Sequence, residues 1–433
     1  MALDLDALKG RLDAVSAVRT EGHVTSVVGL SIRATVPSVR LGDAVRIHRR
    51  GRGPLLAEVV GFDEDLAVLL PLEDPAGLGP DDRVESLGAA PSIRCSPAMV
   101  GRVLDGLGRP LDGGPELVGE PVPLVRKPPH PLARRRIDTP LPLGVRALDA
   151  FCTLGVGQRI GLFAGSGVGK STLLGQIARQ AKADVIVVAL VGERGREVRE
   201  FLEDSLGDEG RARSVVVCAT SDEPALVRLK SVHTATAIAE FFRDRGQSVL
   251  LLVDSVTRFA RAGREVGLSS GEAPARRGYP PSVFAALPAL LERAGSSDRG
   301  AITAIYTVLV EGSDLEEPIA DEVRGILDGH VILDRSLGAR GRWPAIDVVG
   351  SLSRVMPAVT TDAHRKAAAT LRETMALLES KRDLVMLGAY QRGSDARLDR
   401  ALSKSDAIEA FLRQAPHEHV ELGESVAALE RLA

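Results

Sequence analysis

The sequence predicts an α/β protein in three parts: a small N-terminal β-barrel, a central domain on a mostly parallel sheet, and a C-terminal helical domain. Three observations predict it. Short β-branched runs broken by glycine and proline fill residues 22–87, apolar strands alternate with helical stretches from 159 to 308, and the composition turns helical beyond Asp362. Closely spaced strands with turn signals suit a small barrel. Apolar strands separated by helices suit a parallel sheet covered on both faces. The expected parts are an amphipathic helix over 1–20, the barrel over 21–90, the central domain over 91–360 and the helical domain over 361–433.

Residues 3–18 set Leu5, Leu8, Leu12 and Val15 at helical spacing among charged residues, an amphipathic face that suits either a partner or the protein itself. Barrel strands are expected at 24–28, 44–47, 57–60 and 67–70. Proline, glycine and arginine without sustained periodicity over 110–142 predict a linker that wraps the surface. Strands of the central sheet are expected at 159–163, 185–191, 215–219, 248–253 and 301–308, with a helix over 171–182. A further helix is opened by Ser221-Asp222-Glu223-Pro224, polar cap candidates ahead of a proline. The last helices are expected over 363–387 and 397–414.

Composition excludes several classes. Hydrophobic residues at 44% and charged residues at 26% are ordinary for a soluble globular chain, and no apolar run approaches the ~18 residues of a membrane helix. The acidic start Met1 to Asp6 lacks the basic region of a secretory signal, so a cytoplasmic protein is expected. Cys95, Cys152 and Cys218 lie too far apart for a disulfide framework or a zinc site and read as small buried residues. A net charge of −3 with 3% aromatic residues argues against a nucleic-acid partner, which needs a basic groove and stacking rings. The basic runs 48–52 and 134–136 read as solvated loops.

The segment Ala164-Gly165-Ser166-Gly167-Val168-Gly169-Lys170-Ser171 follows a strand and opens a helix, the setting that makes a phosphate-binding P-loop credible, although alanine stands at its first position. Its glycines let backbone N–H groups turn toward a polyphosphate, and the helix N-terminus adds its positive dipole end. Lys170 is then expected on the β- and γ-phosphates of ATP, and the Ser171 hydroxyl on Mg2+. An apolar strand ending in Asp254 supplies a carboxylate beside the loop to help hold the metal. Glu193, at the end of the strand after the P-loop helix, is the candidate general base for an attacking water. Arg194 is expected against the γ-phosphate, where it stabilises developing charge. Taken singly, each has a bland alternative: a glycine-rich turn, a strand-end cap, a charged helix cap. Their order along the chain favours the nucleotide site.

These residues resemble the type III secretion ATPases, relatives of the rotary ATPase catalytic subunits. The resemblance is carried by residues 164–172, by Gly192-Glu193-Arg194-Gly195-Arg196-Glu197, by 254–260, and above all by Arg277-Gly278-Tyr279-Pro280-Pro281-Ser282-Val283-Phe284. Residues 306–312, 321–324, 326–330, 344–347 and 353–355 match as well, so it spans Gly22 to Asp395. It implies an enzyme, an ATPase with a RecA-like core that assembles as a homohexamer and binds MgATP through Gly165, Ser166, Gly167, Val168, Gly169, Lys170, Ser171 and Thr172. It implies that ATP lies between subunits and that Arg354 is the arginine finger given to a neighbour's γ-phosphate; sequence alone reads Arg354 as a local ion-pairing residue. Trp343 falls where the family has a tyrosine that packs on adenine, with a core tryptophan as the alternative, and Tyr390 is a candidate for the other side of the base. The implied partners are a stator protein at the N-terminal helix, a central stalk protein in the ring pore, chaperone–substrate complexes at the C-terminal domain and an export gate. Membrane contact is then peripheral, through those partners, at the cytoplasmic face of the inner membrane.

Departures narrow the resemblance. The C-terminal region lacks the acidic loop of rotary β subunits and carries Gly388-Ala389-Tyr390-Gln391-Arg392-Gly393-Ser394-Asp395, as export ATPases do. Residues 320–324 lean toward the injectisome branch over the flagellar one. Two other readings compete: a non-catalytic ring subunit, which would lack a carboxylate at Glu193, and a nucleic-acid translocase, which the charge and aromatic content disfavour.

Overall fold

The computed structural model describes residues 21–88, 91–310 and 315–433. The amphipathic stretch expected over 1–20 lies outside them.

Six strands, Glu21–Val28, Ser31–Thr35, Ala44–His48, Leu55–Asp63, Leu66–Pro71 and Arg83–Ser86, close into an antiparallel barrel. Alternate residues such as Ile32 and Ala34, Val45 and Ile47, Leu55 and Ala57 fill its interior, because successive side chains on a strand point to opposite faces. Two of the six strands escaped the sequence reading. Ser31–Thr35 buries only Ile32 and Ala34, and Arg83–Ser86 only Val84, so each reads as a polar loop until its partners are in place.

In the second unit the main sheet runs in the order 346–353, 329–333, 159–164, 301–309, 248–254, 185–193, 214–220, 103–105. Neighbours are parallel except that Ile346–Ser353 pairs antiparallel with Gly329–Leu333. Helices cover both faces, so both sides of a strand are apolar. Ile186, Val188 and Leu190 enter one core, and Val187, Ala189 and Val191 the other.

After the short helix Met356–Val359, four helices form the C-terminal part: Asp362–Ser380, Arg382–Met386, Ala396–Leu412 and Leu422–Leu432. Thr361 and Asp395 cap the first and third by accepting first-turn N–H groups. Leu371, Met375, Ile408, Phe411 and Leu429 share a core with Leu148 and Phe151 of the nucleotide-binding part. Across the same seam Arg372 donates to the carbonyls of Ser351 at 2.8 Å and Phe151 at 2.6 Å. The final helix falls within the expected helical domain but was given no bounds, because its buried positions are only Ser425 and Leu429.

The linker is partly docked. Val122 and Leu124 are buried, and Arg134 donates to the Ala294 carbonyl at 2.9 Å, so this arginine run is an anchor and not the solvated loop expected. All three cysteines are free and buried, as expected. Among the described residues no helix is long and apolar enough to cross a membrane.

Candidate active site

The carboxyl ends of adjacent parallel strands form one edge, the usual place for ligands in such sheets. In register, Ala164 lies beside Leu309, Val253 beside Tyr306, and Leu190 beside Asp254. The start of the P-loop, Asp254 and the end of the Glu193 strand therefore meet. A bulge between Val191 and Glu193 shifts that strand's register. Gly192 makes the bulge at φ +65, and a Cβ there would sit 2.9 Å from Arg258 Cδ, so the backbone and the arginine both require glycine.

Five side chains converge behind the bulge. The Lys170 ammonium is paired with Asp254 and stands 3.8 Å from Glu193 Oε1. Thr307 Oγ1 donates to Asp254 Oδ1 at 2.8 Å. Arg258 Nη2 donates to Glu193 Oε2 at 3.5 Å, and Arg258 Nε lies 3.4 Å from Glu193 Oε1; neither of the latter two buried atoms has a hydrogen-bond partner among the described residues. Burial first, then the Asp254 charge and a hydrogen bond to Glu197, push the Glu193 carboxyl up to about 7, against the pull of Lys170 and Arg258. Glu197, which accepts that hydrogen bond, is shifted down.

The P-loop wraps the N-terminus of the helix Lys170–Gln180. Gly169 at φ +79 caps it, and the first-turn N–H groups at Lys170, Ser171 and Thr172 have no intrahelical acceptor, which suits an anion. Ser166, Gly167, Ser171 and Thr172 are exposed, Gly165 is half-buried and Val168 is buried. Arg335 Nη2 donates to the Ser166 carbonyl at 2.7 Å. The Trp343 ring lies against Gly169, where an added Cβ would meet a ring carbon at 2.8 Å, and it remains 42% exposed, which excludes the core alternative.

Two expected residues, Arg194 and Tyr390, stand differently. Arg194 points to solvent with its guanidinium 3.7 Å from Glu197, and Arg258 is the arginine beside Glu193. The Tyr390 hydroxyl is engaged locally, its one hydrogen shared between Asp399 Oδ1 at 2.9 Å, on the helix that follows, and Asp395 O at 3.0 Å. The residue hydrogen-bonded to Trp343 from the C-terminal part is Gln414. Arg354 follows the strand Ile346–Ser353, is exposed, and makes no ion pair among the described residues, against the local-pair reading. Arg258, Thr307 and Arg335 were missed as site residues. The first two sit inside motifs quoted for the resemblance; Arg335 carries no sequence signal.

Comparison with known proteins now decides the family. The chain is 52% identical over 410 residues to a type 3 secretion system ATPase of Xanthomonas euvesicatoria, covering 94% of this chain and 92% of that one. It is 49% identical over 424 residues to a flagellum-specific ATP synthase of Bacillus subtilis, covering 97% of both. The chain belongs to the family of type III secretion and flagellum-specific ATPases. It is therefore an ATPase. Residues 144–353 match the nucleotide-binding domain of the ATP synthase alpha/beta family, and residues 24–88 match that family's β-barrel domain. Residues 360–431 match the T3SS EscN ATPase C-terminal domain. The fold agrees with the assembled ATPase EscN from the enteropathogenic E. coli type III secretion system at TM-score 0.89 and 45% identity, covering 95% of this chain and 99% of EscN. EscN in complex with its central stalk EscO gives TM-score 0.88 at 46% identity, covering 95% of this chain and 99% of that one. The family thus matches the sequence-based resemblance in all three parts.

Proposed function

We propose that this chain hydrolyses MgATP between subunits of a homohexamer and so powers protein export through a type III apparatus. The observation that carries the reading is the convergence of Lys170, Asp254 and Glu193 at the P-loop, with Glu193 held near neutrality. The P-loop N–H groups and Lys170 bind the β- and γ-phosphates. Glu193 takes a proton from the attacking water, and a base that titrates near 7 is matched to that task. Arg258 holds Glu193 in place, and Arg194 reaches the phosphates only by leaving Glu197. Arg354, exposed and without an ion pair among the described residues, is the finger offered to a neighbour. Trp343 supplies one wall for adenine.

The residues fit a magnesium ion. The Ser171 hydroxyl and the Asp254 carboxylate are hard oxygen donors, and the two carboxylates converging on Lys170 form an anionic pair that suits a divalent cation. Mg2+, held by Ser171 and Asp254, would supply positive charge to offset that of the phosphates.

The domain limits at 20, 90 and 360, a stator at the N-terminus, a central stalk in the pore, chaperone–substrate complexes at the C-terminal helices and an export gate at the inner membrane belong to the same proposal. The presence of Glu193 favours it over a non-catalytic ring subunit. Glu193→Gln is expected to keep nucleotide binding and lose at least ~100-fold in turnover. Near wild-type turnover in that variant removes Glu193 as the base.

A further inference from the structure

The segment from Asp334 to Trp343 touches the P-loop on one side and the C-terminal helices on the other. On the P-loop side Arg335 holds the Ser166 carbonyl, and the Trp343 ring is seated between Gly169 and Gly338, each of which would bring a Cβ to 2.8 Å of a ring carbon. On the helical side Arg342 makes a two-pronged ion pair with Glu409, one prong being Nε to Oε2 at 3.0 Å. One residue on, the Trp343 carbonyl accepts the Gln414 backbone N–H at 2.9 Å.

Gln414 is itself fixed. It is 4% exposed, its Nε2 donates to the carbonyls of Gly144 at 2.8 Å and Glu418 at 2.9 Å, and its Oε1 accepts the Arg146 N–H at 2.8 Å. Both amide hydrogens and the amide oxygen are engaged, which also fixes the orientation of the amide. The Arg146 guanidinium closes the same corner on the carbonyls of Phe411 at 2.9 Å and Arg413 at 3.0 Å.

A half-exposed ring seated on two glycines is held from its backbone, and that backbone is pinned at Arg342 and at Trp343. We propose that Gln414 and the Arg342–Glu409 pair are positioning residues for the base of ATP, so that the C-terminal helices set how tightly the site holds nucleotide. The inference rests on the reading of Trp343 as an adenine wall. A bidentate arginine–carboxylate pair adds geometric specificity as well as energy, which is what holding one ring over a bound base demands. Tyr390 has no part in it.

Trp343 is the single tryptophan of the chain, so its emission reports this site alone. The test measures KM and kcat for ATP, and Trp343 emission during ADP titration, in the full-length parent, Glu409→Gln and Arg342→Lys, with Trp343→Ala assayed for KM. The pair lies partly in solvent, with Glu409 35% exposed, so these variants are expected to fold, and Gln414→Ala serves as an independent third. Loss of the pair, partly exposed and acting on the base only through the ring, is expected to raise KM roughly threefold to tenfold, the net scale of one ordinary hydrogen bond, with kcat within about twofold. The emission titration should move to higher ADP by the same factor, and exchanging the pair as Arg342→Glu with Glu409→Arg should recover most of the loss. If Trp343→Ala raises KM while the other folded variants bind like the parent, the positioning claim is overturned and the adenine wall stands. If Trp343→Ala leaves KM unchanged, the adenine wall falls and this inference with it.

Discussion

At Glu193 burial and charge oppose each other. Desolvation and Asp254 raise its carboxyl to about 7, while Lys170 and Arg258 limit the rise. Because kcat/KM reports groups of the free enzyme, it is expected to climb with pH through about 7 and to fall roughly tenfold per pH unit well below it. A profile flat from pH 6 to 8 contradicts a base at Glu193. Stability runs the other way. The folded chain holds a proton that the unfolded chain releases between 4.5 and about 7, so this contribution is present at low pH and lost as pH rises through about 7. Glu193→Gln should therefore melt above the parent at pH 8, and the gap should close toward pH 4. The carboxylates and the lysine were legible because each ends a strand or a loop of recognisable pattern. Arg258 was missed for a geometric reason: Arg194 follows Glu193 at the edge and turns outward, whereas Arg258 returns from the helix that follows the neighbouring strand, which adjacency along the chain does not reveal.

The bulge at Gly192 is the element that joins strand to chemistry. Alanine there meets both a left-handed backbone and the Arg258 side chain, at a cost of about 1–2 kcal/mol. Gly192→Ala is expected to lower kcat by tenfold or more with a smaller change in nucleotide affinity, read by steady-state kinetics and ADP titration; unchanged kcat would mean that the bulge does not aim Glu193. Elements differed in how well they could be read. Val185–Glu193 and Ser248–Asp254 are buried on both faces and appear in the sequence as unbroken apolar runs. Ser31–Thr35 and Arg83–Ser86 bury one face of a short strand and leave two apolar signals or one. The helix Leu422–Leu432 likewise buries too little to stand out. What could not be read was therefore what neighbours supply: the two barrel strands that depend on their partners, and the strap through Gln414 that crosses some 70 residues of chain.

At the scale of the whole molecule the account depends on sites shared between subunits. A Lys170→Ala subunit has lost its own P-loop lysine but still carries Arg354, and an Arg354→Ala subunit has the converse defect. Mixed, the two inactive proteins should regain ATPase activity, because some interfaces then pair an intact P-loop with an intact finger. A mixture as inactive as its parts contradicts the assignment of Arg354 in trans. The most direct measurement is steady-state ATP hydrolysis across protein concentration, with the parent and Lys170→Ala side by side. The account predicts specific activity that climbs with concentration in the parent and is absent in the variant. Specific activity independent of concentration down to levels where the protein is demonstrably monomeric would contradict it.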